Sequence, residues 1–274
     1  MVSCYSKNSS GIIFLWDFPF KNRDEAATMK DNFSTQSDQY AKYRPVYPEA
    51  FFDYLNSIVT SKKSAWDCGT GNGQVARELA KTFDNVEGSD ISSQQLENAF
   101  CADNIHYSVQ SAENTDFAAD QFDLITVAQA IHWFDFDKFY AEVRRTAKDN
   151  ALLVVMGYGR VEVSETIDRL VTDFYTNVIG PYWDKERRYI DDLYQTIPFP
   201  FQEIETPIFA NTQAWTLAHF VGYLNTWSAV KHYIKHNHCN PVDELQVQLQ
   251  RYWSLDEVKE VSFPLLLRIG QVNG

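Results

Sequence analysis

Between residues 64 and 157 the chain alternates two hydrophobic rhythms. Short segments at 64–68, 85–89, 104–110, 122–128 and 151–157 have the length of strands, and the last two are mostly apolar. Between them, 74–83, 93–102 and 135–147 place apolar residues three and four apart, as in helices. Val75, Leu79 and Ala80 share the inward face of the first, and Ser92 or Ser93 is a suitable N-cap for the second. Upstream, Phe51, Tyr54, Leu55 and Val59 have helical spacing, and Pro45 and Pro48 make 43–48 a turn between two short helices. After Tyr158 the rhythm changes. Helices are expected over 165–178, 217–236 and 243–253, an exposed charged stretch over 185–193, and strands over 201–210 and 261–272. Strand–helix alternation with short connections implies an α/β fold, a Rossmann-like doubly wound sheet with helices on both faces. It is mostly parallel, and the two late strands complete it as an antiparallel C-terminal pair.

Composition agrees with a globular chain. Of 274 residues, 45% are hydrophobic and 22% charged, enough for one substantial core. Residues 1–28 read as a loose extension and 29–274 as a single domain. Within it, 29–62 form a helical lid, 63–157 a ligand-binding core, and 158–274 a second-substrate side with the final strands. A formal charge of −13 argues against nucleic acid as a partner, because phosphate backbones are held mainly by Lys and Arg. No apolar run approaches the roughly 20 residues that span a bilayer, so no membrane partner is expected. Cys4, Cys68, Cys101 and Cys239 form no CxxC pair and read as reduced thiols, which points to a cytoplasmic protein.

The chemistry concentrates at Asp67-Cys68-Gly69-Thr70-Gly71-Asn72-Gly73, between an expected strand and an expected helix. Glycines there permit positive φ and remove the Cβ, so a ligand can lie against the backbone. Asp90, at the end of the next strand, is placed to accept both ribose hydroxyls of an adenosine. The dinucleotide pattern GxGxxG is not met, since Gln74 stands at its last glycine, and no Gly-Lys-Ser/Thr follows as a Walker loop requires. An acidic strand end suits a ligand with a positive amino group and no phosphate.

These residues resemble the first two motifs of class I S-adenosylmethionine-dependent methyltransferases. Ser111-Ala112-Glu113 and Phe122-Asp123-Leu124-Ile125-Thr126-Val127 are similar to the family's third-strand exit and fourth strand. The resemblance implies S-adenosylmethionine as cofactor, held by Asp67, Gly69, Gly71, Gly73, Asp90, Ile91, Ala112, Glu113 and Gln129. Tyr43-Arg44-Pro45-Val46-Tyr47-Pro48, Gln129-Ala130-Ile131-His132-Trp133 and Gly222-Tyr223-Leu224-Asn225-Thr226-Trp227-Ser228 are similar to small-molecule methyltransferases such as trans-aconitate methyltransferase and its fungal relatives. That implies an N-terminal lid, with Arg44 on the methionine carboxylate or an acidic acceptor and Tyr40 or Tyr43 shielding the sulfonium.

On the acceptor side, His132 and Trp133 follow the fourth strand and are the candidate catalytic residues. Trp133 can wall the pocket and offer cation–π attraction. His132 can act as a general base toward a hydroxyl, its pKa lying near working pH, or orient a carboxylate, which needs no base. Tyr43, Arg160, Tyr223 and Trp227 are candidate substrate-binding residues. His232 and His236 share a helix face at metal-chelating spacing, but no acidic ligand accompanies them, and no metal is expected. The expected activity is methyl transfer to a small molecule, most simply to oxygen in a carboxylate, by a monomer or homodimer. Carbon or nitrogen methylation of a small metabolite or quinone precursor is the enzymatic alternative, and a non-catalytic cofactor-binding protein of the same fold the other.

Overall fold

The computed structural model describes residues 42–273; the expected extension over residues 1–28, the start of the lid and Tyr40 lie outside the described residues. Helix α1 (Glu49–Ile58) precedes the alternating region. Then come β1 (Ser64–Cys68), α2 (Gln74–Leu79), β2 (Asn85–Asp90), α3 (Ser93–Glu97), β3 (Ile105–Val109), β4 (Phe122–Ala128), α4 (Phe136–Thr146) and β5 (Ala147–Tyr158). A 3₁₀ turn, Ile131–Trp133, separates β4 from α4. The second half contains α5 (Glu165–Asp173), a π-turn (Phe174–Val178), α6 (Arg188–Asp191), β6 (Gln202–Glu203), β7 (Thr212–Thr216), α7 (Leu217–Asn225), α8 (Ser228–Asn237), α9 (Val242–Leu249), β8 (Val258–Ser262) and β9 (Leu265–Gln271).

Seven strands form one sheet in the order β3-β2-β1-β4-β5-β9-β6. The first five are parallel, and β9 runs antiparallel to β5 and to β6. This is the expected Rossmann-like α/β fold. Its central strands are buried on both faces, as a parallel sheet between helices requires. Leu124, Leu152, Val154 and Met156 pack on one side with Phe51, Leu55, Val75 and Leu79. Ile125, Val127, Leu153 and Val155 pack on the other with Trp66, Phe139 and Val143. The order reverses between β1 and β4, so the carboxyl ends of β1, β2 and β4 open onto one crevice, where doubly wound sheets take their ligands.

The C-terminal half departs from the expected elements in four places. The strand expected over 201–210 shrinks to Gln202–Glu203. The one expected over 261–272 divides, with Pro264 standing between β8 and β9; a proline supplies no N–H to a ladder. Strand β8 leaves the main sheet and pairs antiparallel with β7, which was not expected at all. The helix expected over 217–236 breaks at Thr226–Trp227, where Trp227 adopts an extended conformation (φ −67°, ψ 135°). That break turns Trp227 inward, where it is 2% exposed.

Candidate active site

The turn after β1 holds three glycines at positive φ: Gly69 (+67°), Gly71 (+56°) and Gly73 (+78°). They are not equivalent. A Cβ on Gly69 would meet the Ala130 Cβ at 2.7 Å, and one on Gly73 would meet the Tyr107 hydroxyl at 2.1 Å, so both admit neighbouring protein. A Cβ on Gly71 would meet nothing within 4 Å. Gly71 therefore presents bare backbone to open space at the crevice, as a ligand cradle must.

Two carboxylates shape this turn differently. Asp67, expected to face the ligand, is 1% exposed and points into the protein. Its carboxylate accepts from the Thr70 hydroxyl (2.6 Å), the Ala76 backbone N–H (3.1 Å) and the Thr126 hydroxyl (2.9 Å). Burial pushes its pKa up to about 6, against the pull of those three bonds. Asp67 thus braces the turn from behind, and the expected direct contact is corrected. Asp90 is half-buried at the end of β2, accepting from the Gly71 N–H and the Ser92 N–H, both at 2.9 Å. It sits beside the bare backbone of Gly71, where an adenosine's hydroxyls would come. Ile91 follows it, half-buried. Ala112 is buried and Glu113 half-buried; the latter accepts from the Asp135 N–H at 3.0 Å and from the Ser111 hydroxyl, holding the β3 exit against the start of α4.

Beyond β4 the chain turns sharply. Gln129 has φ +54°, donates its backbone N–H to Met156 O (2.9 Å) and its side-chain amide to Tyr158 O (3.0 Å). The 3₁₀ turn that follows carries His132 and Trp133 into a cavity of about 40 Å³. Its walls are Arg44, Gln129, His132, Trp133, Trp183, Asp184, Arg187, Ile190, Trp227 and Ser228. The structure thus unites four segments distant in sequence, including Arg44, Gln129, His132, Trp133 and Trp227 from the expected set. Arg44 donates to the Tyr158 hydroxyl and to Thr226 O, both at 3.2 Å, and lies over the Tyr223 ring.

Three expected substrate contacts are elsewhere. Tyr223 is 3% exposed beneath Arg44 and supports it without lining the cavity. Tyr43 packs edge-on to His219 and over Gly222. Arg160 is exposed and stacks on Tyr175 outside the cavity; nothing draws its charge inward. His132 also differs. Its imidazole is 6% exposed, and burial, with the nearby Arg187 charge, depresses its pKa to about 3. It stays neutral through the physiological range, and the expected titration near working pH is corrected. His232 is turned to Tyr182 O (2.9 Å), and among the described residues no group of three or more His, Cys, Asp or Glu is placed to hold a metal ion.

Several cavity residues were missed. The charged 185–193 stretch, expected to lie exposed, folds back through Arg187, Asp191 and Tyr175. The Tyr175 hydroxyl is 2.7 Å from Asp191 and accepts from Arg187 at 2.9 Å, and Arg187 stacks on Trp183. The readable signal was the i,i+4 pair Arg187–Asp191 beside Trp183. Lys231 was also passed over. It does not line the cavity but is half-buried one turn along α8 from Trp227 and Ser228, with no side-chain hydrogen bond or ion pair among the described residues. Desolvation and the nearby Arg44 charge lower its pKa.

The fold is a doubly wound α/β sheet whose carboxyl edge carries the bare Gly71 backbone beside Asp90 and no phosphate loop. Residues 66–155 match the family model described as a methyltransferase domain. A Dictyostelium discoideum protein described as a methyltransferase is 32% identical over 245 residues, covering 86% of this chain and 93% of that one. A solved structure from Anaeromyxobacter dehalogenans, described as a type II methyltransferase, has a TM-score of 0.78 at 34% identity, covering 84% and 99% of the two chains. A methyltransferase of Pestalotiopsis fici is 29% identical over 161 residues, 48% of each chain. The chain belongs to the class I S-adenosylmethionine-dependent methyltransferases, and S-adenosylmethionine is its methyl donor. Among the described residues no helix is long and apolar enough to cross a membrane.

Proposed function

We propose that the chain methylates an oxygen of a small acidic molecule, most simply a carboxylate. The observation that carries this reading is the charge of the acceptor side: Arg44 and Arg187 line the cavity and Lys231 stands beside Arg44, while Asp184 is the one acidic residue among its described walls and Asp191 pairs Arg187 from outside. Like charges brought together away from water are costly, and an anionic ligand offsets that cost. The S-adenosylmethionine donor supplies an activated methyl whose departure leaves a neutral thioether. The chain's part is to align the acceptor and exclude water. A carboxylate is already ionised at neutral pH, so no group has to remove a proton, which fits a histidine too weakly basic to do so.

In this reading Gly71, Asp90, Ile91, Ala112 and Glu113 hold the adenosine end, and Asp67, Gly69 and Gly73 shape the turn beneath it. Gln129 and Arg44 flank the junction with the acceptor, whose walls are His132, Trp133, Trp183, Arg187 and Trp227. Of the described residues, 42–62 serve as the lid, 63–157 as the cofactor core and 158–273 as the acceptor side. A nitrogen or carbon acceptor would need a base to take its proton, and His132 is too weakly basic to serve as one.

The test is Lys231→Met, which keeps the stem and removes the charge. The expected result is a KM for the acidic acceptor raised about tenfold, the order of one hydrogen bond to a charged group, with cofactor affinity unchanged. An unchanged acceptor KM would count against an anionic acceptor at this position.

A further inference from the structure

His132 has a neighbour that the activity does not by itself require. Leu193 and Tyr194, between α6 and β6, both adopt left-handed backbone, at φ +54° and +61°. Neither is glycine, and each bears the cost of a Cβ in that region. Leu193 gains nothing by it, since its side chain is 51% exposed. The conformation instead drives Tyr194 inward, where its ring is fully buried against Gly157 of β5. A Cβ at Gly157 would come within 2.9 Å of that ring. The segment is fastened down: Tyr194 N–H donates to Tyr189 O (2.7 Å), and Arg268 of β9 donates to Tyr194 O (3.3 Å) and Ile197 O (2.6 Å). The result is a tyrosine hydroxyl 3.3 Å from Nδ1 of His132. Phenylalanine would fill the same space over Gly157, so packing alone does not account for the hydroxyl.

We propose that Tyr194 is a positioning residue that locks His132 in its Nε2–H tautomer, so that the histidine serves the acceptor as a hydrogen-bond donor and not as a base. In a neutral tyrosine–histidine pair the phenol is the more acidic donor and the imidazole nitrogen the better acceptor, so the Tyr194 O–H donates to Nδ1. A neutral imidazole carries one proton, which must then sit on Nε2. Among the described residues Nε2 has no hydrogen-bond partner, and His132 lines the cavity, so this N–H is the one offered to a bound molecule. The charged groups sharing that cavity are Arg44, Arg187 and Asp184, and the Arg187 charge disfavours a second proton on the ring. The N–H and the Arg187 guanidinium together suit one oxyanion. That last step rests on the acidic acceptor proposed above; the tautomer does not.

The test reads the tautomer directly. Two-bond ¹H–¹⁵N correlation spectra of the histidine rings, assigned to His132 by its loss in His132→Gln, are recorded for the full chain from about pH 5 to about pH 8. The expected wild-type signature is a neutral ring protonated at Nε2 throughout. In Tyr194→Phe the Nδ1–H form should gain a substantial share, with at least a fivefold rise in acceptor KM and no change in cofactor affinity. An Nδ1–H ring in the wild type overturns the proposal, as does a Tyr194→Phe ring with the wild-type tautomer. Should Tyr194→Phe not fold, the wild-type spectrum alone decides. Absence of transfer to any carboxylate would sink the acceptor reading while leaving the tautomer result standing.

Discussion

Two aspartates at neighbouring strand ends have opposite duties, which single substitutions separate. Asp90 is half-buried beside bare backbone, and its carboxylate holds the Gly71 and Ser92 amides. Asp90→Ala should weaken S-adenosylmethionine binding by about 1–3 kcal/mol, the cost of leaving hydroxyls without their charged partner, read by titration calorimetry. Wild-type affinity in that variant would remove Asp90 from the cofactor site. Asp67 has no such freedom, since its three donors are protein groups. Both aspartates stand out in the sequence by their spacing from the glycines, but spacing does not say which way a carboxylate points. A similar limit held for His132: its place after β4 was legible, whereas its depressed pKa depends on Arg187, 55 positions away in the chain, and on a burial that no local pattern encodes.

At the scale of elements, the central parallel strands were legible because they are buried on both faces, and Phe122–Ala128 reads as a nearly continuous apolar run. The second half was not, because its elements are defined by partners. Strand β7 (Thr212–Thr216) has a mixed pattern and exists by pairing with β8. The 185–193 segment reads as solvated charge until Tyr175 gathers Arg187 and Asp191. Helix α7 offers a test of how the proposed lid is seated. A Cβ at Gly222 would meet the Tyr43 ring at 2.5 Å, so Gly222→Ala should push Tyr43 off the helix and disturb the adjoining Arg44. Alanine favours the helix interior by about 1 kcal/mol, so thermal stability should hold or rise while the KM for cofactor or acceptor climbs several-fold. Unchanged kinetics would show that the lid is seated by other contacts.

Across the whole molecule, two buried groups make stability depend on pH with opposite signs. His132 titrates near 3 in the fold against an ordinary 6.5, so the unfolded chain binds its proton first. Its contribution is complete above 6.5 and is lost as the pH falls from there toward 3. Asp67 is raised from 3.8 to about 6, so the folded chain holds that proton more tightly, and its contribution is lost as the pH rises from 3.8 through 6. Denaturant midpoints for the wild type and His132→Gln separate the two. The wild type should lose stability relative to the variant as the pH falls from 6.5 toward 3, and parallel curves would contradict the buried neutral histidine.

The acceptor side can be read most directly from the product. Purified protein is incubated with methyl-labelled S-adenosylmethionine and a panel of small mono- and dicarboxylic acids, each paired with its neutral amide. The expected result is label transferred to the acids alone, released as methanol by mild base as a methyl ester requires. Its rate should show no rise across the range where a histidine would titrate. Label in a base-stable product, or transfer to the amides as readily as to the acids, would contradict an acidic oxygen acceptor.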